Sequence, residues 1–281
     1  MSSLLLSRER SLDLSRPHVM GIVNLTPDSF SDGGLFSAPE AAVEQSLRLV
    51  DEGATLIDLG AESTRPGAEA VSVQQELDRL MPVLSILRKQ TSAWISIDTS
   101  SPEVMRMALE SGADLINDVR ALRREGALDV IATFKPAVCL MHMIGEPTNM
   151  QSVASYQNVS KEVSHFLLER VQACEQVGLA KSHILIDPGF GFGKTLQHNY
   201  QLLRDLDRIL EYCGCHVLAG MSRKSMIGQV LNKPVTERVY GSVAAATLAL
   251  TKGARVLRVH DVAATVDAMK VASMMLWSQN G

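Results

Sequence analysis

Three segments of the chain repeat one design: EGATLIDLG at 52–60, SGADLINDV at 111–119 and KGARVLRVH at 252–260 each place Gly-Ala ahead of a short apolar run. Glycine just past a helix relieves the left-handed position that ends it, and a β-rich apolar run that follows reads as a strand buried on both faces. The repeat therefore predicts helix, tight turn, strand, used several times over. The three copies also share a phase. Five residues beyond Gly53, Gly112 and Gly253 stand Asp58, Asn117 and Arg258, so each run carries a polar residue near its far end.

Further strands are read at HVMGIV from His18, AWISID from Ala93, AVCLMHM from Ala137, HILID from His183 and HVLAG from His216, which brings the total to about eight. Helix starts separate them. Ser37 with Glu40, Ser72 with Gln75 and Ser100 with Glu103 have capping-box spacing, the first and last with proline in the first turn. Beyond Glu40, Val43, Leu47 and Val50 lie on one helical face.

Strands alternating with helices form a parallel sheet, either open and doubly wound or closed as a (β/α)8 barrel. Strand number and the absence of G-x-G-x-x-G after the first strand favour an α/β TIM barrel, one domain over residues 1–281. The strand ends agree, because nearly all carry polar groups: Asn24, Asp58, Asp98, Asn117, His142, Asp187, Lys224, Arg258 and His260. An open sheet would gather such residues at one crevice, whereas a barrel distributes them around its mouth. Two connections, NLTPDSFSDGGLFS after the first strand and GAESTRPGAEAVS after the second, are long enough to be binding loops or lids.

A formal net charge of −4 argues against a nucleic-acid or polybasic membrane surface, so any anion site must be local. The N-terminal Leu4-Leu5-Leu6 is too short for a signal-peptide core and is followed by Arg8, Glu9 and Arg10; no later run approaches a membrane span. Cys139, Cys174, Cys213 and Cys215 lack C-x-x-C spacing and read as reduced thiols of a cytosolic protein. Cys213, Cys215 and His216 have no second ligand pair nearby to complete a metal site.

Residues 189–195 end in Gly-Lys-Thr, yet the stretch is one residue short of a phosphate loop, and Pro188 stands where its first glycine would be. What remains is Asp187 at a strand end, able to accept two hydrogen bonds from an amino-pyrimidine edge. Asp98 and Asn117 at neighbouring strand ends extend that lining toward a flat, donor-rich heterocycle. For Asp98 alone, helix capping is an equal reading. Lys224 follows an apolar strand and is read as a site residue, with a Schiff-base lysine or a surface charge as alternatives. Arg258 and His260 alternate with Val259 and so point the same way, as paired cationic donors suited to a diphosphate; the competing reading is an ion pair of Arg258 with Asp261 or Asp267.

The motifs MGIVNLTPDSFSDGG, IDLGAESTRPGA, IDTSSPEV, INDVRAL, LMHM, DPGFGFGK, GMSRKSMIG and RVHDV, in this order from Met20 to about Met269, closely resemble the dihydropteroate synthases. The resemblance implies a usually homodimeric, cytoplasmic (β/α)8 enzyme of folate synthesis, a class targeted by sulfonamides. It implies that para-aminobenzoate displaces pyrophosphate from 6-hydroxymethyl-7,8-dihydropterin diphosphate with the help of Mg2+. Carried over position by position, Asp98, Asn117, Asp187 and Lys224 bind the pterin, with Met141 against its ring. Asn24 is a magnesium ligand, and Arg258 and His260 hold the diphosphate. Thr64, Arg65 and Pro66, completed by Phe192 and Ser225, form the para-aminobenzoate pocket; Asp98, Lys224 and Arg65 take the catalytic roles. Ser101 stands where the family commonly has a basic residue, and MIGEPTNMQ replaces the usual MQGxPxTMQ, without removing any carried-over residue. A methyltetrahydrofolate-dependent methyltransferase and a noncatalytic pterin-binding barrel are the competing classes. Both lack a reason to keep STRPGA, SRKS and RVH together.

Overall fold

The Gly-Ala repeat folds as its sequence predicts. In the computed structural model, which describes residues 2–26, 38–62, 71–145, 150 and 154–277, Gly53, Gly112 and Gly253 have φ of 104°, 97° and 96°. Behind the first two the chain makes the paired bonds of a Schellman turn. Ala54 N donates to Leu49 O at 2.9 Å and Gly53 N to Val50 O at 2.9 Å, and Ala113 and Gly112 repeat the pattern onto Ala108 and Leu109. Each helix end thus feeds directly into a barrel strand.

The barrel strands are β3 (His18–Asn24), β4 (Leu56–Gly60), β5 (Trp94–Asp98), β6 (Leu115–Asp118), β7 (Ala137–Met141), β8 (Ile184–Asp187), β9 (His216–Ala219) and β10 (Ala254–Val259). All pair in parallel with their sequence neighbours, and β10 closes on β3 through Arg258 opposite Met20. Helices α1 (Ala38–Asp51), α2 (Val73–Gln90), α3 (Pro102–Glu110), α4 (Ala127–Phe134) and α5 (Val159–Gln176) join the earlier strands. The later ones are joined by α6 (Leu196–Arg204), α7 (Leu206–Cys213), α8 (Ser225–Leu231) and α9 (Val239–Thr251), and α10 (Val262–Trp277) follows β10. In α2, Leu77, Leu80, Leu84 and Leu87 form the buried face, each contributing roughly 2 kcal/mol of apolar burial. Its start is the expected capping box, with Ser72 and Gln75 bonded reciprocally.

The Ser100–Glu103 box does not form. Ser101 is the N-cap of α3 and makes no side-chain cap bond, while the Ser100 hydroxyl donates to Asp118, a stronger charged acceptor. Ser37 lies outside the described residues.

One element escaped the sequence reading. A hairpin of β1 (Leu4–Ser7) and β2 (Arg10–Asp13) lies under the barrel, and its Leu5, with Leu14 just beyond it, packs against Met20, Leu56, Trp94, Leu115, Leu185, Leu218 and Val256. These two leucines seal the floor. Asp114 anchors the hairpin by pairing with Arg10 at 2.7 Å and Arg88 at 3.0 Å, and His216 Nε2 bonds Ser2 O at 2.7 Å. All four cysteines are buried and outside any disulfide. Among the described residues no helix is long and apolar enough to cross a membrane.

Candidate active site

Side chains alternate across a strand, so the residues sharing a phase with the floor leucines point inward. Above the apolar floor, the next inward positions carry Asp58, Ser96, Asn117 and Arg258, and they bond to one another. Arg258 Nε donates to Asp58 Oδ2 at 2.6 Å, Asn117 Nδ2 to the same oxygen at 3.3 Å, and Ser96 Oγ to Asp58 Oδ1 at 2.5 Å. The three polar residues of the Gly-Ala repeat therefore meet in the barrel axis. Asp58 is wholly buried and was not among the site residues read from sequence, although the repeat's phase had marked it.

One layer higher, Asp98, Met141 and Asp187 end their strands, Asn24 closes β3 opposite Gly60, and Arg258 NH2 reaches Asp98 Oδ2 at 2.9 Å. Two inward positions in this layer are glycine. A side chain at Gly60 would touch Asp98 Cβ at 3.5 Å, and one at Gly220 would lie 3.8 Å from both Asp187 Oδ2 and Arg258 Cβ. Their absence leaves a hollow bordered by carboxylates, and it places Asp187 and Arg258 on the same rim.

Electrostatics follow from burial. Desolvation raises Asp98 to about 7, against the pull of Arg258 and with help from Asp58 and Asp118. Burial also raises Asp187, opposed by Lys224 and by the Gly189 N–H that its Oδ1 accepts at 2.7 Å. Lys224 is lowered by burial to about 8, with Asp187 pulling the other way. For Arg258, burial disfavours the cation, but Asp58 and Asp98 outweigh it and the pKa rises.

Arg258 thus pairs with neither Asp261 nor Asp267; Asp261 is taken by Arg223 Nε at 3.0 Å. Asp98 caps no helix, since Ser101 holds that position in α3. Lys224 is no surface charge: its Nζ donates to Phe190 O at 2.6 Å and sits 4.7 Å from the Phe192 ring centre. The expectation of two cations at the end of β10 needs correction. Burial, with Arg258 and Arg223 beside it, pushes His260 down to about 4, so the imidazole is neutral, its Nδ1 3.0 Å from Ser222 Oγ.

The loops beyond the strands complete the rim. Asp118 accepts from Arg120 N at 2.8 Å and Leu122 N at 2.7 Å and so holds a turn in which Ala121 and Leu122 are left-handed, directly after Asn117. Met141, Met143, Met150 and Val119 form an apolar wall with Phe192. Ser225 is exposed at the start of α8, whose N-cap is Lys224. Thr64, Arg65 and Pro66 lie outside the described residues.

The Gly-Lys-Thr stretch does something other than bind phosphate. Lys194 is 4% exposed, and its Nζ lies 2.9 Å from Gly189 O, 2.9 Å from Phe192 O and 3.0 Å from His142 Nδ1. Nothing in local sequence marks such a lysine, because its partners are two main-chain carbonyls and a histidine 52 residues away. Burial, then Lys194, lowers His142 to about 2, which keeps it neutral and able to accept at Nδ1.

Residues 20–260 match the family described as pterin binding enzyme. The dihydropteroate synthase of Escherichia coli is 50% identical over 272 residues, 97% of this chain and 96% of that protein. Xanthomonas albilineans dihydropteroate synthase with 4-aminobenzoic acid superimposes with a TM-score of 0.93 at 52% identity, covering 99% of each chain. The same enzyme in complex with 7,8-dihydropteroate gives a TM-score of 0.88 at 50% identity, over 98% of this chain and 99% of that one.

Proposed function

The chain belongs to the dihydropteroate synthases of the pterin binding enzyme family, and from that membership we propose how its barrel mouth divides the work of the reaction. It is a transferase. The amine of para-aminobenzoate attacks the methylene of 6-hydroxymethyl-7,8-dihydropterin diphosphate, the C–O bond to the diphosphate breaks, and 7,8-dihydropteroate and pyrophosphate result.

The hollow at Gly60 and Gly220 takes the flat bicycle, with Asn117 and Asp187 accepting from its amino and ring N–H groups. As the leaving group departs, positive charge develops on the methylene and spreads into the ring. Asp98, held by Arg258, faces that charge as a carboxylate fixed in place beforehand. Stabilisation concentrated in the transition state is what accelerates the step, and it requires no covalent nucleophile. Arg258 carries the developing charge of the diphosphate, with His260, neutral in the free protein, as a second donor. Lys224 bridges the two halves, near Asp187 on one side and Phe192 on the other. Thr64, Arg65, Pro66, Phe192 and Ser225 receive the arylamine.

Among the described residues no three His, Cys, Asp or Glu side chains group together to hold a metal. A lone carboxamide oxygen from Asn24 at the rim fits Mg2+ that keeps waters and arrives on the substrate's phosphates. Bound there, the ion would neutralise charge on the leaving diphosphate.

Two further proposals complete the reading. A homodimer forms through α9 and α10, which pack on each other and leave Tyr240, Leu248, Val271, Met274 and Met275 exposed. The enzyme works in the cytoplasm, in keeping with four buried thiols.

The observation that carries the mechanism is Asp98, Asp187 and Arg258 around one glycine-lined hollow. Purified protein with Mg2+ and both substrates should form dihydropteroate, omission of the arylamine should stop it, and folded protein that makes none would refute the reaction. Lys224→Ala should weaken mainly pterin diphosphate binding and Arg65→Ala mainly para-aminobenzoate binding; equal effects on both substrates would undo that division.

A further inference from the structure

We propose that Lys194 is a positioning residue for the arylamine half of the site, its buried ammonium fixing the carbonyls of Gly189 and Phe192 against His142 and thereby setting where the Phe192 ring stands. The role rests on the assignment of Phe192 to the para-aminobenzoate pocket.

Burial lowers Lys194 to about 7, opposed by Asp187, and three acceptors within 3.0 Å of its Nζ favour the ammonium, which has three N–H groups and no acceptor. Lys194 spends them on Gly189 O, Phe192 O and His142 Nδ1, with His142 O as a longer fourth neighbour at 3.3 Å. The strand-end loop after β8 is thus tied to the strand-end loop after β7 by a side chain that is buried. The backbone is shaped for this tie. Gly189 has φ of 71°, and a Cβ there would stand 1.9 Å from His142 O; Gly193 has φ of 59°, and a Cβ would stand 2.4 Å from Ile144 Cγ2. No other residue permits the two loops to approach so closely.

Two other groups hold the same loop from outside. Tyr156 donates its hydroxyl to Gly193 O at 3.0 Å, and Asn199 Oδ1 accepts from Gly191 N at 2.7 Å. Asp187 has a second anchor, as the last residue of a barrel strand whose carbonyl accepts from His142 N at 3.0 Å, and Lys194 reaches its carboxylate only through charge. Loss of the Lys194 tie therefore frees Phe192 more than it frees Asp187.

The test is steady-state kinetics of Lys194→Met and Tyr156→Phe, with circular dichroism confirming that each is folded. Losing charged hydrogen bonds to buried carbonyls should raise the KM for para-aminobenzoate by about tenfold in Lys194→Met, and about threefold in Tyr156→Phe, which loses one neutral bond. The KM for pterin diphosphate should move less than about twofold in either. Unchanged arylamine KM values, or equal rises for both substrates, would overturn the role, since a lysine that merely stabilised the barrel would not distinguish them. If Lys194→Met does not fold, Tyr156→Phe alone decides. Absence of turnover in the wild type would overturn the reaction and this role together, whereas normal wild-type turnover with unmoved variants overturns the role alone.

Discussion

Replacing Arg258 with methionine should destabilise the protein mainly through the Asp58 carboxylate, since the other partner of Arg258, Asp98, is raised to about 7 and can take up a proton. Asp58 is 0% exposed, and without Arg258 it retains only the neutral donors Ser96 Oγ and Asn117 Nδ2. Removing one member of a buried ion pair costs about 3–5 kcal/mol. The lower end applies, because 19% of the Arg258 side chain reaches solvent and two donors stay with the carboxylate. With unfolding entropy of roughly 2.1 cal/mol/K per residue, about 3 kcal/mol corresponds to a fall of about 5 °C in Tm. The double variant Asp58→Asn/Arg258→Met should recover most of that loss, since a neutral amide and an apolar chain replace the whole pair rather than half of it. Turnover should stay down by at least about a hundredfold in both, as the proposed donor to the leaving group is gone. Differential scanning calorimetry and initial rates on the four proteins of this cycle measure both quantities. A double variant less stable than Arg258→Met would refute the reasoning, because additive losses mean that the two side chains are not energetically coupled.

The raised Asp98 predicts a pH signature: stability it contributes is complete below its ordinary value of 3.8 and is lost as pH rises through about 7, so wild-type Tm should drop relative to Asp98→Asn between pH 4 and 7.5, and parallel curves would contradict it. His260, pushed down to about 4 and so neutral at pH 6 in the free protein, should take up a proton when pyrophosphate binds at that pH; calorimetry in buffers of different ionisation enthalpy should show an uptake that is smaller in His260→Asn, and equal uptake in the two proteins would contradict it. Gly189→Ala should cost more than about 3 kcal/mol, because its Cβ would overlap His142 O, whereas Gly178→Ala, equally left-handed but with no atom within 4 Å, should cost about 1 kcal/mol; similar melting temperatures would exclude the loop contact as the cause.

The barrel was legible because its signals are local and repeated. A glycine at each helix end, an apolar run and a polar residue at constant phase are properties of nine consecutive residues, and Gly53, Gly112 and Gly253 all take the backbone that the pattern demands. The cluster of Asp98, Asn117, Asp187 and Arg258 was legible for the same reason, since strand ends in a barrel converge whatever the loops do. What stayed hidden depends on partners remote in sequence. The hairpin of Leu4–Asp13 has two four-residue strands with no strong alternation, and Leu5 and Leu14 acquire meaning only beneath the floor they close. Ser100 carries a capping pattern but is drawn to Asp118, a competitor from the next strand. Asp58 had the right phase and was read as one polar end among many, because its partner Arg258 lies 200 residues away. The neutrality of His260 comes from burial and two neighbouring arginines that composition does not reveal.

A barrel stoppered at its base by Leu5 and Leu14 is a cul-de-sac. Visitors to such a place queue: whatever rests against Asn117 and Asp187 enters before, and departs after, whatever rests against Phe192 nearer the street. On the proposed assignment the bicyclic substrate should accordingly be the first to arrive, and an arylamine that comes early should obstruct its own reaction. Excess para-aminobenzoate should then inhibit competitively with the pterin diphosphate.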